Sequence, residues 1–456
     1  MAQAGDRDRM QEGKKPQEEK ALLVGLDTGE DEDFDRSMEE LGELARACSM
    51  RAVGVVTQRT AGVNKAFYIG TGKVEEVREY AGSLEADVVI FDHSLTPSQL
   101  RNLQKEIGKP ILDRTTLILD IFSTRAKTRE AKLQVETARL QYLLSRLVGM
   151  HEALTRQGGA SGSMSSKGAG EKKLELDRRK IERRLVELRR ELEEVSRERA
   201  TQSKRRMASR IPKVSLVGYT NAGKSTLMNA MVDRYLKDGE KRVLEADMLF
   251  ATLDTTVRHI HMGNSREILL ADTVGFIHKL PHGLIKAFRS TLEEVKNADL
   301  LLCVVDCSDE NYRQQIRVTK ETLEEIGAGS IPMLYVYNKA DLCGAGPIPR
   351  VVGEDKIYIC AKTGQGLEEL CGMILDRVYA DYVQAEFLFP YDRGQVVSYL
   401  LENARVLEQE YLEEGIRLKL SCHRADAGKY GEYSRIPIQR SPPSASGDAE
   451  KHNNDS

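Results

Sequence analysis

The segment GYTNAGKST, Gly218 to Thr226, constrains the fold of this chain more than any other stretch. It follows the apolar run VSLV, precedes the helix-forming run LMNAMV, and reads Gly, four free positions, Gly, Lys, Ser. Such a turn between a strand and a helix lets backbone N–H groups converge on a phosphate at the positive end of the helix dipole. It predicts an α/β domain that binds nucleotide phosphates, and the alternative is a bend with Lys224 merely at the surface.

The composition limits the remaining possibilities. A chain of 456 residues with 40% hydrophobic and 30% charged residues is typical of a globular protein of two to four domains. The formal net charge is only −3, so any nucleic-acid surface must be a local basic patch. The seven cysteines form no C-x-x-C pair, which favours a reducing compartment over a disulfide framework.

The N-terminal segment MAQAGDRDRMQEGKK is polar and lacks the apolar core of a signal peptide. No stretch approaches the roughly 20 apolar residues of a membrane span. We expect a cytoplasmic and partly membrane-peripheral monomer without a membrane span.

Strands and helices alternate over residues 21–126, after a disordered tail at 1–20, and predict a first α/β domain with a parallel sheet. The segment TTLILDIFSTRA could be a strand or a buried helix. GTGK at Gly70–Lys73 is too short for a phosphate loop and predicts a strand-to-helix turn. Asp92 and His93 follow an apolar strand, but the sequence assigns them no partner. The sequence leaves the role of this domain open.

Residues 127–208 carry heptad spacing. Leu133, Leu140, Leu147 and Leu154 recur every seven residues, and a second heptad run extends from Leu174 to Val195. The glycine- and serine-rich stretch between them, residues 156–170, is predicted not to be helical. The pattern indicates an antiparallel helical hairpin with a glycine-rich tip.

The second half of this hairpin is basic. Residues 171–210 contain 15 Lys and Arg against 9 Asp and Glu. This excess fits either the solvated face of a coiled coil or an arm that binds RNA phosphates, and the charge leaves both open.

Strand–helix alternation resumes in a second α/β domain over residues 209–380. A small C-terminal α+β domain is predicted at 381–428, and a disordered tail at 429–456.

Three more motifs each follow an apolar strand of this second domain. In LLADTVGF, Asp272 can hold Mg²⁺ and the Gly275 N–H can approach a γ-phosphate. In YVYNKAD, the Asp341 carboxylate can accept from N1–H and the N2 amine of guanine, a pair that adenine lacks. In YICAK, Cys360–Lys362 can present an N–H to guanine O6. Ligands bind at the carboxyl ends of strands in doubly wound sheets, so the four motifs together predict a GTP site.

The predicted Mg²⁺ residues are Ser225, Asp272 and a threonine between them. FATLDTTVR offers Thr252, Thr255 and Thr256, of which we prefer Thr252 as the residue that senses the γ-phosphate.

The predicted catalytic residues are Lys224, Thr252 and Gly275. The position after D-x-x-G, a glutamine in Ras-like proteins, is Phe276, whose ring cannot orient water. Intrinsic hydrolysis should therefore be slow, with a supplied group contributing about 10³–10⁵ in rate. Asn221 could coordinate K⁺ beside the phosphates, or it could simply stabilise the loop.

The chain resembles HflX, a family of ribosome-associated GTPases in the Obg-like group of translation-factor-related GTPases. The resemblance rests on GYTNAGKSTLMNA, LFATLD, DTVGFIHKLPHGLIKAFRSTLEE, NKAD and the upstream RQGG, GAGE and LELDRR, and it begins in the first domain with FYIGTGKVEEV. It implies binding of GTP, GDP and Mg²⁺. It also implies binding to the rRNA of the large ribosomal subunit, with the hairpin tip directed toward the peptidyl-transferase region, and the splitting or rescue of stalled ribosomes under stress. We expect the first domain either to contact rRNA or to restrain the nucleotide switch, and the sequence leaves both open.

The resemblance also implies which residues contact the nucleotide. They are Gly218, Tyr219, Thr220, Asn221, Ala222, Gly223, Lys224, Ser225, Thr226, Phe250, Ala251, Thr252, Leu253, Asp254, Asp272, Thr273, Val274, Gly275, Asn338, Lys339, Ala340, Asp341, Cys360, Ala361 and Lys362.

Two features depart from the family pattern. The hairpin tip reads SSKGAGE where the family has G-x-R-G-P-G-E, and Cys360 replaces the usual serine of the last guanine motif. Two other hypotheses also stay open. One is a GTPase for another RNA task such as subunit assembly, and the other is a non-hydrolysing GTP-binding regulator of a protein partner.

Overall fold

The computed structural model describes residues 18–29, 33–157, 164–207, 211–235, 250, 255–262, 266–279, 293–344, 346–435 and 439–440. Within these ranges the side chains at 148–157, 164–174, 198–207, 293, 402–403 and 439–440 are not described. The chain divides into two compact units. The first comprises Met1–Arg189 with Lys279–Ala287, and the second comprises Arg190–His278 with Phe288–Ser456.

The first unit contains a four-stranded parallel sheet in the order β2-β1-β3-β4. The central strand β1 is buried from Ala21 to Leu26, as expected for a strand covered on both faces. The elements are β1 (Glu19–Asp27), α1 (Phe34–Ala47), β2 (Met50–Arg59), α2 (Thr71–Ser83), β3 (Val88–Phe91), α3 (Pro97–Ile107), β4 (Ile111–Asp113), α4 (Arg114–Arg125), α5 (Arg129–Gln157) and α6 (Met164–Met207), of which α6 continues into the second unit.

Local sequence explains where several of these helices begin. Thr96 and Gln99 form a capping box at the start of α3, with Pro97 at the first helical position. The Asp113 side chain accepts from Thr116 N and caps α4, so the ambiguous segment TTLILDIFSTRA is a helix. GTGK lies at the start of α2, whose N-cap residue is Gly70.

The two long helices contact each other through an ion pair. Arg184 Nε and a terminal nitrogen donate to the two carboxylate oxygens of Glu136 at 2.8 and 3.0 Å. The first part of α5 also packs on α3 and α4. Along α6, Arg178 and Arg179 pair with glutamates one turn away, as on the solvated face of a helix.

The prediction that residues 156–170 are not helical is wrong at both ends. Helix α5 continues through Gln157, and α6 begins at Met164 and includes Gly168 and Gly170. A helical glycine costs only about 1 kcal/mol relative to alanine, so a long helix can propagate through two of them. Residues 158–163 lie outside the described part of the chain.

The second unit contains a seven-stranded sheet in the order β10-β11-β9-β8-β5-β7-β6, parallel except for the two edge strands β10 and β6. Its elements are β5 (Lys213–Val217), α7 (Lys224–Tyr235), β6 (Thr256–His261), β7 (Glu267–Asp272), α8 (Glu293–Lys296), β8 (Leu300–Asp306), α9 (Tyr312–Glu325), β9 (Met333–Asn338), β10 (Arg350–Val352), β11 (Lys356–Tyr358) and α10 (Leu367–Val378). The P-loop GTPase fold predicted from the motifs is therefore confirmed.

A four-stranded antiparallel sheet, β13-β14-β12-β15, follows in the same unit. Its elements are β12 (Tyr382–Phe389), α11 (Gly394–Asn403), β13 (Arg405–Leu412), β14 (Gly415–His423), α12 (Arg424–Lys429) and β15 (Gln439–Arg440).

Both predicted tails need correction at their inner ends. Glu19 and Lys20 belong to β1, and beyond residue 428 a 3-10 helix forms at Gly431–Tyr433 and β15 pairs with β12. Strand pairing and the packing of Tyr430 and Tyr433 against the C-terminal core order this polar sequence. Residues 1–17 and 441–456 lie outside the described part of the chain.

Candidate functional site

The glycine-rich turn that joins β5 to α7 has a backbone that other residues cannot adopt without strain. Gly218 has φ +137°, and a Cβ there would lie 2.2 Å from the Val304 carbonyl oxygen. Gly223 has φ +91°, and a Cβ there would lie 2.2 Å from Asn338 Nδ2. Both glycines are therefore required by backbone conformation and by close approach to neighbouring strands.

Lys224 opens α7 and is buried inside this turn. Its ammonium group donates to the carbonyl oxygens of Gly218 at 3.1 Å and of Tyr219 at 2.7 Å. Burial lowers the pKa of Lys224 to about 8, and the nearby Asp272 carboxylate opposes that shift. The alternative of a surface lysine is therefore wrong.

Two of the three predicted Mg²⁺ residues are in contact. The Ser225 hydroxyl donates to Asp272 Oδ2 at 2.8 Å, and Asp272 is fully buried at the end of β7. Thr256 is the first residue of β6 and lies opposite Asp272 in the sheet. The preferred threonine, Thr252, lies outside the described residues, as do Ala251, Leu253 and Asp254.

The segment after Asp272 lies against the phosphate loop. The Phe276 N–H donates to Gly218 O at 3.1 Å, and Phe276 O accepts from Thr220 N at 2.8 Å. The Tyr219 hydroxyl accepts from His278 N at 2.8 Å. Phe276 is 2% exposed, so the side chain in the glutamine position is part of the core.

The residues between Asp272 and Phe276 complete this wall of the site. The Thr273 hydroxyl donates to Leu216 O at 2.6 Å, and Val274 is partly exposed. At Gly275 a Cβ would lie 2.9 Å from Lys224 Nζ and from Thr220 Cα. A side chain at this position would therefore fill the space beside the buried lysine.

These groups fit a nucleotide with Mg²⁺. A hydroxyl and a carboxylate in contact provide the oxygen ligands that Mg²⁺ prefers. Within the described residues Thr220 Oγ1 is buried without a hydrogen-bond partner, close to the glycine cradle and to Lys224. A phosphate oxygen could accept from that hydroxyl.

The guanine motif is tied to the phosphate loop through one side chain. Asn338 Nδ2 donates to Ala222 O at 3.0 Å, and Asn338 Oδ1 accepts from Ala361 N at 3.0 Å. One amide therefore links the phosphate loop, the end of β9 and the last motif.

The other residues of these two motifs differ in exposure. Lys339 has φ +60° and pairs with Asp306 at 2.6 Å, Ala340 is buried, and Asp341 is exposed. Cys360 is buried and its N–H donates to Gln365 O at 3.0 Å, whereas Lys362 is exposed.

The remaining predicted residues lie around the loop. Asn221 has φ +60° and is exposed, Thr226 is partly buried in the first turn of α7, and Phe250 is buried with φ +55°.

Sequence reasoning missed two members of this arrangement. Asp306 ends β8 and holds Lys339, and its position at a strand end in VVD was an available signal. The Tyr219–His278 contact joins two segments 59 residues apart, and no local pattern indicates it.

Comparison with known proteins matches this chain to GTPases. Family models match residues 35–123, described as GTP-binding GTPase N-terminal, 125–206, GTP-binding GTPase Middle Region, and 213–339, 50S ribosome-binding GTPase. GTPase HflX of Caldanaerobacter subterraneus is 44% identical over 404 residues, which cover 88% of this chain and 90% of that protein.

The chain belongs to the HflX family of GTPases.

The resemblance seen in the motifs is thus confirmed, and as an HflX protein the chain is a GTPase. GTPase HflX of Escherichia coli is 39% identical over 401 residues, covering 87% of this chain and 91% of that protein. A crystal structure of a GTP-binding protein from Sulfolobus solfataricus in complex with GDP matches with 26% identity and a TM-score of 0.40, covering 79% of this chain and 99% of the other. Within the described residues no helix combines the length and apolarity needed to cross a membrane.

Proposed function

We propose that this HflX protein binds GTP with Mg²⁺, associates with the large ribosomal subunit, and hydrolyses GTP at a useful rate only when the ribosome stimulates it. The observation that carries the proposal is the meeting of four motifs at one edge of the sheet. Ser225 contacts Asp272, Asn338 contacts both Ala222 and Ala361, and Phe276 pairs with the phosphate loop.

Each part of the site has a proposed role. Backbone N–H groups of the loop and Lys224 bind the β- and γ-phosphates, and the exposed Asp341 carboxylate selects guanine. Ser225, Asp272 and Thr252 hold Mg²⁺, which neutralises charge on the phosphates when bound. Gly275 leaves room beside Lys224 for the γ-phosphate.

The buried Phe276 supports the dependence on a partner. A phenyl ring that is 2% exposed in the core has no hydrogen-bonding group with which to orient the attacking water. We infer that the group that positions this water is supplied by the ribosome or by the segment that contains Thr252.

The ribosomal partner is inferred from two observations. The family model that matches residues 213–339 is described as a 50S ribosome-binding GTPase. Helix α6, which is not part of either α/β sheet domain, lies largely in the segment that has more Lys and Arg than Asp and Glu. We propose that α5 and α6 contact rRNA and that the protein splits or rescues stalled ribosomes.

The decisive measurement is GTP turnover with and without purified large subunits. We expect stimulation of at least about tenfold, with small subunits and the Lys224→Ala variant as controls. Sedimentation with ribosomes should occur in a non-hydrolysable GTP analogue and decrease in GDP. Equal turnover with either subunit, or nucleotide-independent sedimentation, would contradict the ribosomal assignment.

Base recognition has a separate test. Replacing Asp341 with asparagine leaves one acceptor oxygen and places an NH₂ donor opposite the second guanine donor, and we expect GDP affinity to fall about 100-fold. Calorimetric titration of wild type and variant with GDP and ADP measures this. Equal binding of ADP and GDP by the wild type would contradict guanine selection.

A further inference from the structure

Two cysteines of the GTPase domain have their side chains directed at each other. Cys307 and Cys343 are 36 positions apart in the chain, and their sulfur atoms are 2.7 Å apart. Both residues are partly exposed, whereas Cys303, Cys360, Cys371 and Cys422 are buried. A small oxidant can therefore reach this pair from solvent.

The pair lies directly beside the guanine motif. Cys307 follows the last residue of β8, and its N–H donates to Asn338 O at 3.1 Å. The Cys343 thiol donates to Ala340 O at 3.6 Å. Lys339, which lies between Asn338 and Ala340 in the motif, pairs with Asp306 at 2.6 Å. Residues 338–340 are thus each held by the segment that carries Cys307 or by Cys343.

We propose that Cys307 and Cys343 form a reversible disulfide that holds the guanine-binding loop against the end of β8. A disulfide requires side chains that point at each other from nearby backbone positions, and sulfur atoms already in direct contact meet that requirement without rearrangement of the sheet.

The reaction is balanced with hydrogen peroxide as the oxidant. Peroxide first converts one thiol to a sulfenic acid and releases water. The other sulfur then attacks, the S–S bond forms, the sulfenic S–O bond breaks, and a second water leaves. Overall two thiols and one peroxide give one disulfide and two waters, and a dithiol such as dithiothreitol reverses the oxidation by exchange.

The surroundings of Cys307 set the conditions of the reaction. Burial, followed by the neighbouring Cys343 and Asp306, raises the pKa of the Cys307 thiol. This sulfur therefore remains protonated at neutral pH, where oxidation should be slow. Sustained peroxide or a moderately alkaline buffer is needed for complete conversion.

The expected consequence, which rests on the proposed guanine site, is slower release of nucleotide. The bond joins residues that are already in contact while Asn338 links the phosphate loop to Ala361, so oxidation preserves the site and removes freedom from the loop. We expect GDP dissociation to slow about threefold and the unfolding midpoint of the domain to rise by roughly 5 °C.

The first experiment tests the bond itself. The full-length protein is treated with hydrogen peroxide at about pH 8.5, its remaining thiols are alkylated, and linked peptides are identified by mass spectrometry. We expect a 307–343 linked peptide that disappears after dithiothreitol. It should be lost in Cys307→Ser and Cys343→Ser and kept in Cys48→Ser, which removes the other partly exposed cysteine. Absence of that peptide, or dominance of a link to Cys48, would overturn the proposal.

The second experiment measures release of a fluorescent GDP analogue from reduced and oxidised protein. The slowing should be reversed by dithiothreitol and absent in Cys343→Ser. Unchanged release from fully linked protein would overturn the effect on the loop. Failure of the reduced protein to bind GDP would refute the proposed guanine site, while the mass-spectrometric result would still stand by itself.

Discussion

Both parallel sheets end their strands in aspartates, but the two sets of carboxylates have different partners. In the first unit Asp92 follows β3 and accepts from Ser37 Oγ at 2.8 Å, from Arg114 at 2.8 Å and from Lys279 at 2.7 Å. Asp113 ends β4 and accepts from Leu95 N, Thr116 N, Tyr142 and Arg146. Protein donors surround both carboxylates.

In the second unit Asp272 ends β7, and its Oδ2 accepts from Ser225, a hydroxyl that is itself a metal ligand in the proposed site. Asp306 ends β8 and orients Lys339 of the guanine motif. The same position at a strand end therefore stabilises the fold in the first sheet and belongs to the proposed nucleotide site in the second. Asp92 and Asp272 differ in the chemistry of their donors: Arg114 and Lys279 bring positive charge to Asp92, whereas the Ser225 hydroxyl that donates to Asp272 Oδ2 is neutral.

The largest effect that sharpens this comparison is expected for Asp92→Asn. It removes a buried charge beside Arg114 and Lys279 and should lower the free energy of unfolding of the first unit by about 3 kcal/mol. Thermal unfolding measures the loss. GDP affinity should stay within about twofold, as expected for a structural carboxylate. An unchanged unfolding midpoint would contradict the structural role.

Asp272→Asn tests the other side of the comparison. We expect GTP turnover at saturating Mg²⁺ to fall about 100-fold, because the amide cannot replace a carboxylate at the metal. The unfolding midpoint should change little, since the amide still accepts from Ser225. Single-turnover assays with ribosomal subunits measure the rate, and a variant with wild-type turnover would refute the assignment.

A smaller effect is expected from pH through Lys224. Its pKa is about 8 in the described site, and bound phosphates should raise it. The affinity for GDP should then be highest below pH 8 and should decrease as the pH rises above that value, by about tenfold between pH 7 and pH 9. Titrations with GDP across this pH range test the direction of the change in affinity. A flat profile for wild type, or an equal slope for Lys224→Ala, would contradict it.

The smallest effect concerns Asn221, which is exposed with φ +60° in the phosphate loop. If its side chain helps to place K⁺ beside the phosphates, replacing K⁺ with Na⁺ should lower kcat about fivefold. Asn221→Ala should remove this ion dependence. Equal kcat in the two salts would show that Asn221 only stabilises the loop.

The sequence predicts most of the second unit because its signals are local. Gly218, Gly223 and Lys224 lie in one turn whose backbone conformation dictates the residue types, and Asp272 and Asn338 lie at the ends of strands with continuous apolar runs. The edge strands β6 and β10 escaped prediction because TVRHIH is half polar and RVV is short and exposed.

Long-range contacts were not predictable. Asn338 matches a motif, yet its bridge between Ala222 and Ala361 depends on strand order in the folded sheet. The sequence assigns Asp92 no partner, because Arg114 and Lys279, which lie beside it in the fold, are 22 and 187 positions away. The helical residues at Met164–Gly170 show that glycine content alone is a poor guide within a long helix.

The double hydrogen bonding of Asn338 has an evolutionary consequence. In the proposed site a single amide links the loop that binds the phosphates to the segment beside the purine, so the two halves of the nucleotide are not recognised independently. A relative that changed its purine preference by altering only position 341 would keep both hydrogen bonds of Asn338. Loss of these bonds would weaken the binding of every purine nucleotide alike. In the proposed site the purine preference can therefore change at position 341, while nucleotide binding itself depends on Asn338, three positions earlier at the end of β9.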